Sequence, residues 1–293
     1  MSGVEVARTR EAPRARPAAE GLGRELRGAR VVLQRELIRF SQDRPRILSS
    51  LLQPLMFLFI LGTGLSSLVR GGGALGGLSL RTFFYPGVLA MSTMFTAVFS
   101  AGTLLWDREF GFLREMLVAP VRRSSILVGK ALGGAVVATL QGLLVLALAG
   151  LVGVPYRPGL FLTLAGELFL LSFSLTSMGL VIAVRLREMQ TFFALTQMFL
   201  MPMFFLSGAL YPLNGLPTWL RVLTRVDPLT YVVDPMRRAV FSALDLPASV
   251  REAVAGGVTW GSWRVPTPVE LALVAAFGVV FLAVAALRFA RTE

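Results

Sequence analysis

The chain has 293 residues, 55% hydrophobic and only 16% charged, with a mean hydropathy of +0.69 and a net charge of +12. Soluble domains carry about 25% charged residues, and several apolar runs here reach the roughly 18 residues that cross a bilayer as a helix; a soluble globular protein is excluded. The absence of cysteine and histidine removes disulfides, thiol nucleophiles, zinc thiolate sites and imidazole acid–base chemistry.

A β-barrel is excluded in practice, because its strands alternate over roughly ten residues instead of running continuously apolar. The positive charge comes from 28 arginines and one lysine. Basic flanks of membrane spans account for it, so membrane lipid is the expected surroundings and no nucleic acid is expected as a partner.

Residues 1–21 are rich in Ala, Pro, Arg and Glu without periodicity, and read as a disordered cytoplasmic tail. The eleven arginines before residue 47 surround no apolar core of signal-peptide type, so the first apolar run is expected to stay as an anchor. Residues 22–44 place Leu26, Leu33, Leu37 and Phe40 at helical steps, with Arg24, Arg27, Arg35 and Arg39 largely on other faces. This predicts an amphipathic helix at the membrane surface, serving either as a lipid anchor or as a docking element for a soluble partner.

Six spans are predicted over about 47–69, 82–105, 126–153, 159–184, 191–210 and 269–287. Pro54 and Pro202 fall inside the first and fifth, where each removes a helical hydrogen bond. Gly129, Gly133 and Gly134 open the third, where small residues permit close helix approach. Between the fifth and sixth spans, residues 211–268 scatter Trp219, Tyr231, Trp260 and Trp263 among short apolar pieces broken by Asp227-Pro228 and Asp234-Pro235. Aromatics favour the membrane–water boundary, so this segment is expected to form short helices that dip into or rest on the outer leaflet. Asp227 and Asp234 themselves read as turn initiators before proline.

An even number of spans puts both termini on one side. The loops on that side hold nineteen arginines and those on the other side nine, so both termini are expected in the cytoplasm. Glu167, in the fourth span, stands out as an ionisable group at depth, a feature that marks either a pathway or a structural hydrogen bond. Gln141 and Gln197 are candidates to line the same path or to bond between helices. No G-x-x-x-x-G-K-[ST] loop exists, so the chain is not expected to hydrolyse ATP itself, and no metal-binding or carboxylate motif suggests a lipid-modifying enzyme.

The densest charge in the middle of the chain lies between the second and third spans: Asp107, Arg108, Glu109, Arg114, Glu115, Arg122 and Arg123. Phe110, Leu113 and Leu117 recur at helical spacing, which fits a short helix lying along the cytoplasmic surface, or an ordinary loop with snorkelling arginines.

This stretch, WDREFGFLREMLVAPVRRSSILVGKALGG, resembles the permease subunits of type-2 ABC exporters, nearest to the drug-resistance and nodulation-factor export branch. Three other segments share the likeness: Arg44-Pro45-Arg46 with Gln53-Pro54-Leu55; residues 204–213, FFLSGALYPL; and residues 227–237, DPLTYVVDPMR, where the family often begins with Asn. The resemblance implies an all-α integral membrane fold: six transmembrane helices, an N-terminal amphipathic connecting helix, a cytoplasmic coupling helix and outer re-entrant helices. It implies a permease without catalytic residues, paired with a second copy and with a separate ATPase that binds the ATP and Mg. Asp107, Arg108, Glu109, Phe110, Gly111, Phe112, Arg114 and Glu115 would then engage the ATPase, and Asp227, Pro228, Tyr231 and Asp234 would lie in the outer cap. The implied setting is a bacterial plasma membrane and the implied cargo an amphipathic drug, lipid or lipid-linked oligosaccharide. The other classes weighed are a non-transporting membrane scaffold and a membrane-embedded lipid-modifying enzyme.

Overall fold

The computed structural model describes residues 18–65, 78–113 and 123–292. Among these, six helices are long and apolar enough to cross a membrane: Ile47–Gly64, Leu80–Glu109, Arg123–Leu146, Pro158–Arg185, Met189–Leu206 and Thr267–Arg291. The chain is therefore an all-α, multi-pass membrane protein.

Helix α1 (Ala18–Gln42) precedes the first span. It begins inside the segment read as a tail, where Ala18, Ala19 and Glu20 are strong helix formers. α2 (Arg44–Met56) contains Pro54 and passes into a π-helical turn at Phe57–Leu61 and a last turn at Gly62–Gly64. The wide turn follows the hydrogen bond that proline cannot make.

α3 (Leu80–Ala101) is capped by Ser79, whose side chain accepts from the Thr82 amide at 3.1 Å. It continues, after a tight step at Gly102, as α4 (Thr103–Glu109). α5 (Arg123–Leu146) stops earlier than the apolar run does. The chain there folds into a 3-10 turn at Ala149–Val152, closed by the Tyr156 hydroxyl, which donates to Ala147 O at 2.8 Å and accepts from Gly150 N at 3.1 Å. α6 (Pro158–Arg185) opens on a proline, whose fixed φ suits a first helical turn, and α7 (Met189–Leu206) follows after three residues.

The segment between the fifth and sixth spans forms α8 (Thr218–Val226), α9 (Thr230–Ser242), α10 (Ala248–Val254) and a short hairpin in which β1 (Thr259–Trp260) pairs antiparallel with β2 (Trp263–Arg264). α11 (Thr267–Thr292) returns through the membrane. α3, α5 and α6 pack together as the core, α11 lies along α6, α1 lies along α5, and α9 is wedged against α3, α6 and α11. α2 and α7 keep long apolar faces open, including Leu48, Leu52, Met56 and Ile60 on one and Met198, Phe199 and Phe205 on the other.

Candidate functional site: the elbow between the second and third spans and its buried ion network

The charged stretch begins on the end of the second span, turns at Gly111 and is helical again at Phe112 and Leu113, where the described residues stop. Trp106, Asp107, Arg108 and Glu109 are the last residues of α4, which extends the second span. The helix then breaks at Phe110, and Gly111 takes φ +80°, a left-handed conformation that glycine adopts without a Cβ penalty. The chain turns there, so the aromatic rings on either side project outward: Phe110 is 68% exposed and Phe112 48%. Arg114 and Glu115 lie outside the described residues.

Among the charged elbow residues described, Asp107 and Arg108 face inward, and Leu113 beyond the turn is buried in the core. The Arg108 guanidinium donates to Leu186 O at 2.6 Å, fastening the elbow to the loop between α6 and α7. Asp107 is 1% exposed and enters a buried ion network. Its Oδ2 lies 2.6 Å from Lys130 Nζ, and its Oδ1 accepts from Arg35 of α1. Lys130 Nζ also donates to Glu36 Oε1 at 2.9 Å and to Thr103 Oγ1 at 3.1 Å. Lys130, the only lysine of the chain, is 3% exposed and Glu36 is 5% exposed. One ammonium thus sits between two carboxylates, and Arg35, partly in solvent, balances the second negative charge. Desolvated charges persist only when paired in this way.

The network joins three elements: α1 through Glu36 and Arg35, α4 through Thr103 and Asp107, and α5 through Lys130. α1 reaches it because α5 is glycine at the crossing. A Cβ on Gly129 would come within 2.8 Å of Ala29 O and of Val32 Cβ, and one on Gly133 within 3.0 Å of Glu36 Cβ. The buried stripe of the amphipathic helix therefore rests on the third span. Two stacks close the solvent side: Arg39 lies 5.0 Å from the Trp106 ring centre and Arg35 lies 5.4 Å from that of Phe112. Between α1 and the elbow they border a cleft of about 550 Å³, lined by Arg35, Ile38, Arg39, Trp106, Phe110 and Phe112 among others. Glu36 and Thr103 lie in none of the quoted motifs, and Lys130 lies in one that gives no hint of its partners. The one signal for them was a lysine in an otherwise all-arginine chain, just inside a span.

Within the membrane, Glu167 and Gln141 come to one level of the core, since Gly142 of α5 abuts both Thr93 of α3 and Leu168 of α6. Both are buried; neither amide atom of Gln141, nor Glu167 Oε2, has a hydrogen-bond partner among the described residues. Gln197 is exposed on α7. The three therefore do not line one surface of a single protomer. All six spans are so uniformly apolar that helical periodicity could not place these polar groups on a face.

In the segment between the fifth and sixth spans, Pro228 separates Asp227 from the start of α9. Asp227 is buried and accepts from Leu229 N at 3.1 Å and from Thr230 Oγ1 at 3.2 Å, the side-chain turn that starts the helix. Burial pushes its carboxyl up to about 7, against the lowering effect of those bonds. The folded state therefore holds a proton that the unfolded chain, with a carboxyl near 3.9, releases. The Asp227 contribution to stability should fall as pH rises from about 4 to about 7 and stay level above. Asp227→Asn keeps the turn without the charge. Melting midpoints in detergent should then fall less steeply across that range and, at pH 8, lie several degrees above the unchanged protein; a variant that keeps the original pH slope would rule this out.

Tyr231 donates to Arg225 O at 2.6 Å and accepts from Trp260 Nε1 at 3.1 Å, tying the hairpin to α8 and α9. Arg237, fully buried, donates to Tyr211 O at 3.1 Å and to Gly208 O, with its guanidinium 4.9 Å from the Phe83 ring centre. Asp234 accepts from Val258 N at 3.1 Å and pairs with Arg238. Asp234 and Asp227 are thus held inside the protein, beyond the simple turn-starting role their prolines suggest.

Residues 27–241 match the family model described as ABC-2 type transporter. A protein of Cyanophora paradoxa named as transport permease ycf38 is 31% identical over 209 residues, 71% of this chain and 72% of its own. Nodulation protein J of Rhizobium leguminosarum bv. trifolii is 30% identical over 65% of this chain and 72% of its own. An Escherichia coli K12 protein named as multidrug ABC transporter permease YbhR is 28% identical over 64% of this chain, and the match spans about half, 53%, of that relative's length. With six apolar spans and a family match over most of its length, the chain belongs to the ABC-2 type transporter family as a membrane permease.

Proposed function

We propose that this permease is the membrane-embedded part of an ATP-driven exporter, moved by a separate ATPase that binds the ATP and Mg and docks on the cytoplasmic elbow. The observation that carries this reading is the elbow itself: two exposed phenylalanines beside a cleft, mounted on a buried ion network that ties α1, α4 and α5 together. A push on Phe110 and Phe112 is handed to two spans at once, because the lever is the rigid end of the second span and Lys130 is in the third.

In this reading both termini are cytoplasmic, the membrane is the bacterial inner membrane, and two copies of the chain enclose the pathway. The ATPase needs only to bind one state of the permease better than the other to give the cycle direction. Glu109, Phe110 and Phe112 contact the ATPase, with Arg114 and Glu115 further candidates. Asp107 and Arg108 act from behind, holding the elbow's shape. Gln197 occupies an outward face that cargo reaches directly, while Glu167 and Gln141 act within the protomer core. The cargo is amphipathic (a drug, a lipid or a lipid-linked oligosaccharide), since the exposed faces of the spans offer few fixed polar groups for strict recognition. The names of the multidrug permease and of the nodulation protein support that range.

The test is co-purification. The double variant Glu109→Lys, Phe110→Ala should lower recovery of the ATPase with the permease about tenfold or more, the loss expected when a central aromatic anchor is truncated, without lowering the permease's own melting midpoint. Undiminished recovery and undiminished substrate-stimulated hydrolysis would remove the elbow as the docking site.

A further inference from the structure

Where the outer segment meets the last span, the fold buries carboxylates that the sequence keeps far apart. Glu270, in the first turn of α11, is 0% exposed, and Asp234 of α9 is 1% exposed. Both carboxylates meet the same nitrogen of Arg238: Nη2 donates to Glu270 Oε1 at 2.9 Å and to Asp234 Oδ2. Sharing that one nitrogen brings the two carboxyl groups side by side. Glu270 Oε2 meets no donor among the described residues.

Two ionised carboxylates can only accept hydrogen bonds. Held side by side and out of water they repel strongly, and one guanidinium neutralises one of them. The neighbouring cations do not supply a second partner. Arg237 is directed to the carbonyls of Gly208 and Tyr211. Arg264 is exposed and donates to Ala255 O at 2.6 Å. From α6, Glu167 adds another buried carboxyl that feels the charge of Arg238. Tyr231, on α9, is the remaining titratable group whose field reaches Glu270. Arg238 spends its other contacts on Val265 O and Thr267 Oγ1, each at 3.3 Å, at the entry to α11.

We propose that Asp234 and Glu270 form a proton-binding site, in which one proton bridges the two carboxyl groups and, with Arg238, latches α9 to the last span. The proton sits on Glu270 and is donated to Asp234, so that Arg238 faces a pair of net charge minus one. When α9 separates from α11 and water enters, the pair ionises and the proton leaves to the outer solution. Acid outside therefore holds the segment in place, and alkali loosens it by one proton per opening event. The site stands on the carboxyl geometry alone and holds whether or not the chain exports anything.

Full-length permease in lipid nanodiscs tests this in two readouts. Infrared spectra in the Glu167→Gln background at pH 8 should contain the carbonyl stretch of a buried protonated carboxylic acid. That band should vanish in both Glu270→Gln and Asp234→Asn, because either remaining acid is then ionised against Arg238. Hydrogen exchange supplies the second readout. Protection factors of the α9 amides in the Asp227→Asn background, corrected for intrinsic exchange, should fall about tenfold per pH unit from the ordinary carboxyl range, near 4, up to the pH at which the closed pair itself loses its proton, and level off above it, as one proton released on opening requires. In Glu270→Gln, whose amide donates to Asp234 at every pH, they should be flat. A missing band, a band that survives either substitution, protection that does not change with pH in the unchanged protein, or an equal slope in Glu270→Gln would each overturn the proposal.

Discussion

Lys130→Met should lower the melting midpoint sharply and abolish ATP-driven transport. Methionine fills the lysine's volume but leaves Glu36 and Asp107 buried with no ammonium between them. Removing one partner of a buried ion pair costs about 3–5 kcal/mol, because the remaining charge is uncompensated. Arg35 relieves Asp107 in part, from a side chain that is 37% exposed, and the Thr103 hydroxyl, 3.4 Å from Glu36 Oε1, is too weak a donor to replace the ammonium there. A second variant separates stability from coupling. With Lys130→Met, Glu36→Gln and Asp107→Asn combined, no buried charge is left without its counter-ion, and most of the midpoint should return. Transport should not return, since the ionic link between α1, α4 and α5 is gone. An unchanged midpoint in Lys130→Met, or transport restored in the triple variant, would show that the network is not what joins these elements.

Gly129→Val is expected to have the second-largest effect. A Cβ at this position meets the Ala29 carbonyl oxygen at 2.8 Å, and backbone cannot move aside as a flexible side chain can. α1 must therefore lift off α5, drawing Glu36 away from Lys130. Forcing extra atoms into a closed contact costs typically about 1–3 kcal/mol, and here part of the ion network is lost as well. Trypsin gives a direct readout, since Arg27, Arg30, Arg35 and Arg39 all lie on α1. Cleavage within α1 should become many times faster than in the unchanged protein, with transport reduced. Unaltered protection would mean that α1 is not held by this crossing.

The spans were legible because length and continuous apolarity are local properties, and six such helices stand in the fold. The elbow was legible as a charge density between two spans. Its geometry was not. Asp107 and Glu109 look alike in sequence, yet one is buried against Lys130 and the other exposed, a difference set by the direction in which α4 leaves α3. The partners of Lys130 are distant in the chain, and pairing across such distances leaves no periodic trace. Glu270 is the clearest omission. It stands at the edge of an apolar run, where nothing local singles it out, and the packing of α9 against α11 buries it completely. Gln141 and Gln197 looked equivalent as polar breaks in apolar spans, and only packing separates the core of α5 from the open face of α7. In the amphipathic helix α1 the apolar stripe was visible at once. That a span with glycines at the crossing, and not lipid alone, receives it depends on Gly129 and Gly133 meeting it at the right height.

The central claim is that motion of a separate ATPase enters through the elbow and drives export. Reconstituted proteoliposomes containing the permease and its ATPase, loaded with a fluorescent amphipathic dye, test it most directly. ATP added on the cytoplasmic face should drive vectorial dye movement in the unchanged complex. Phe110→Ala with Phe112→Ala should abolish that movement while the permease stays folded in the membrane. Equal ATP-driven movement in that double variant, or movement that proceeds without the ATPase or ATP, would contradict the account.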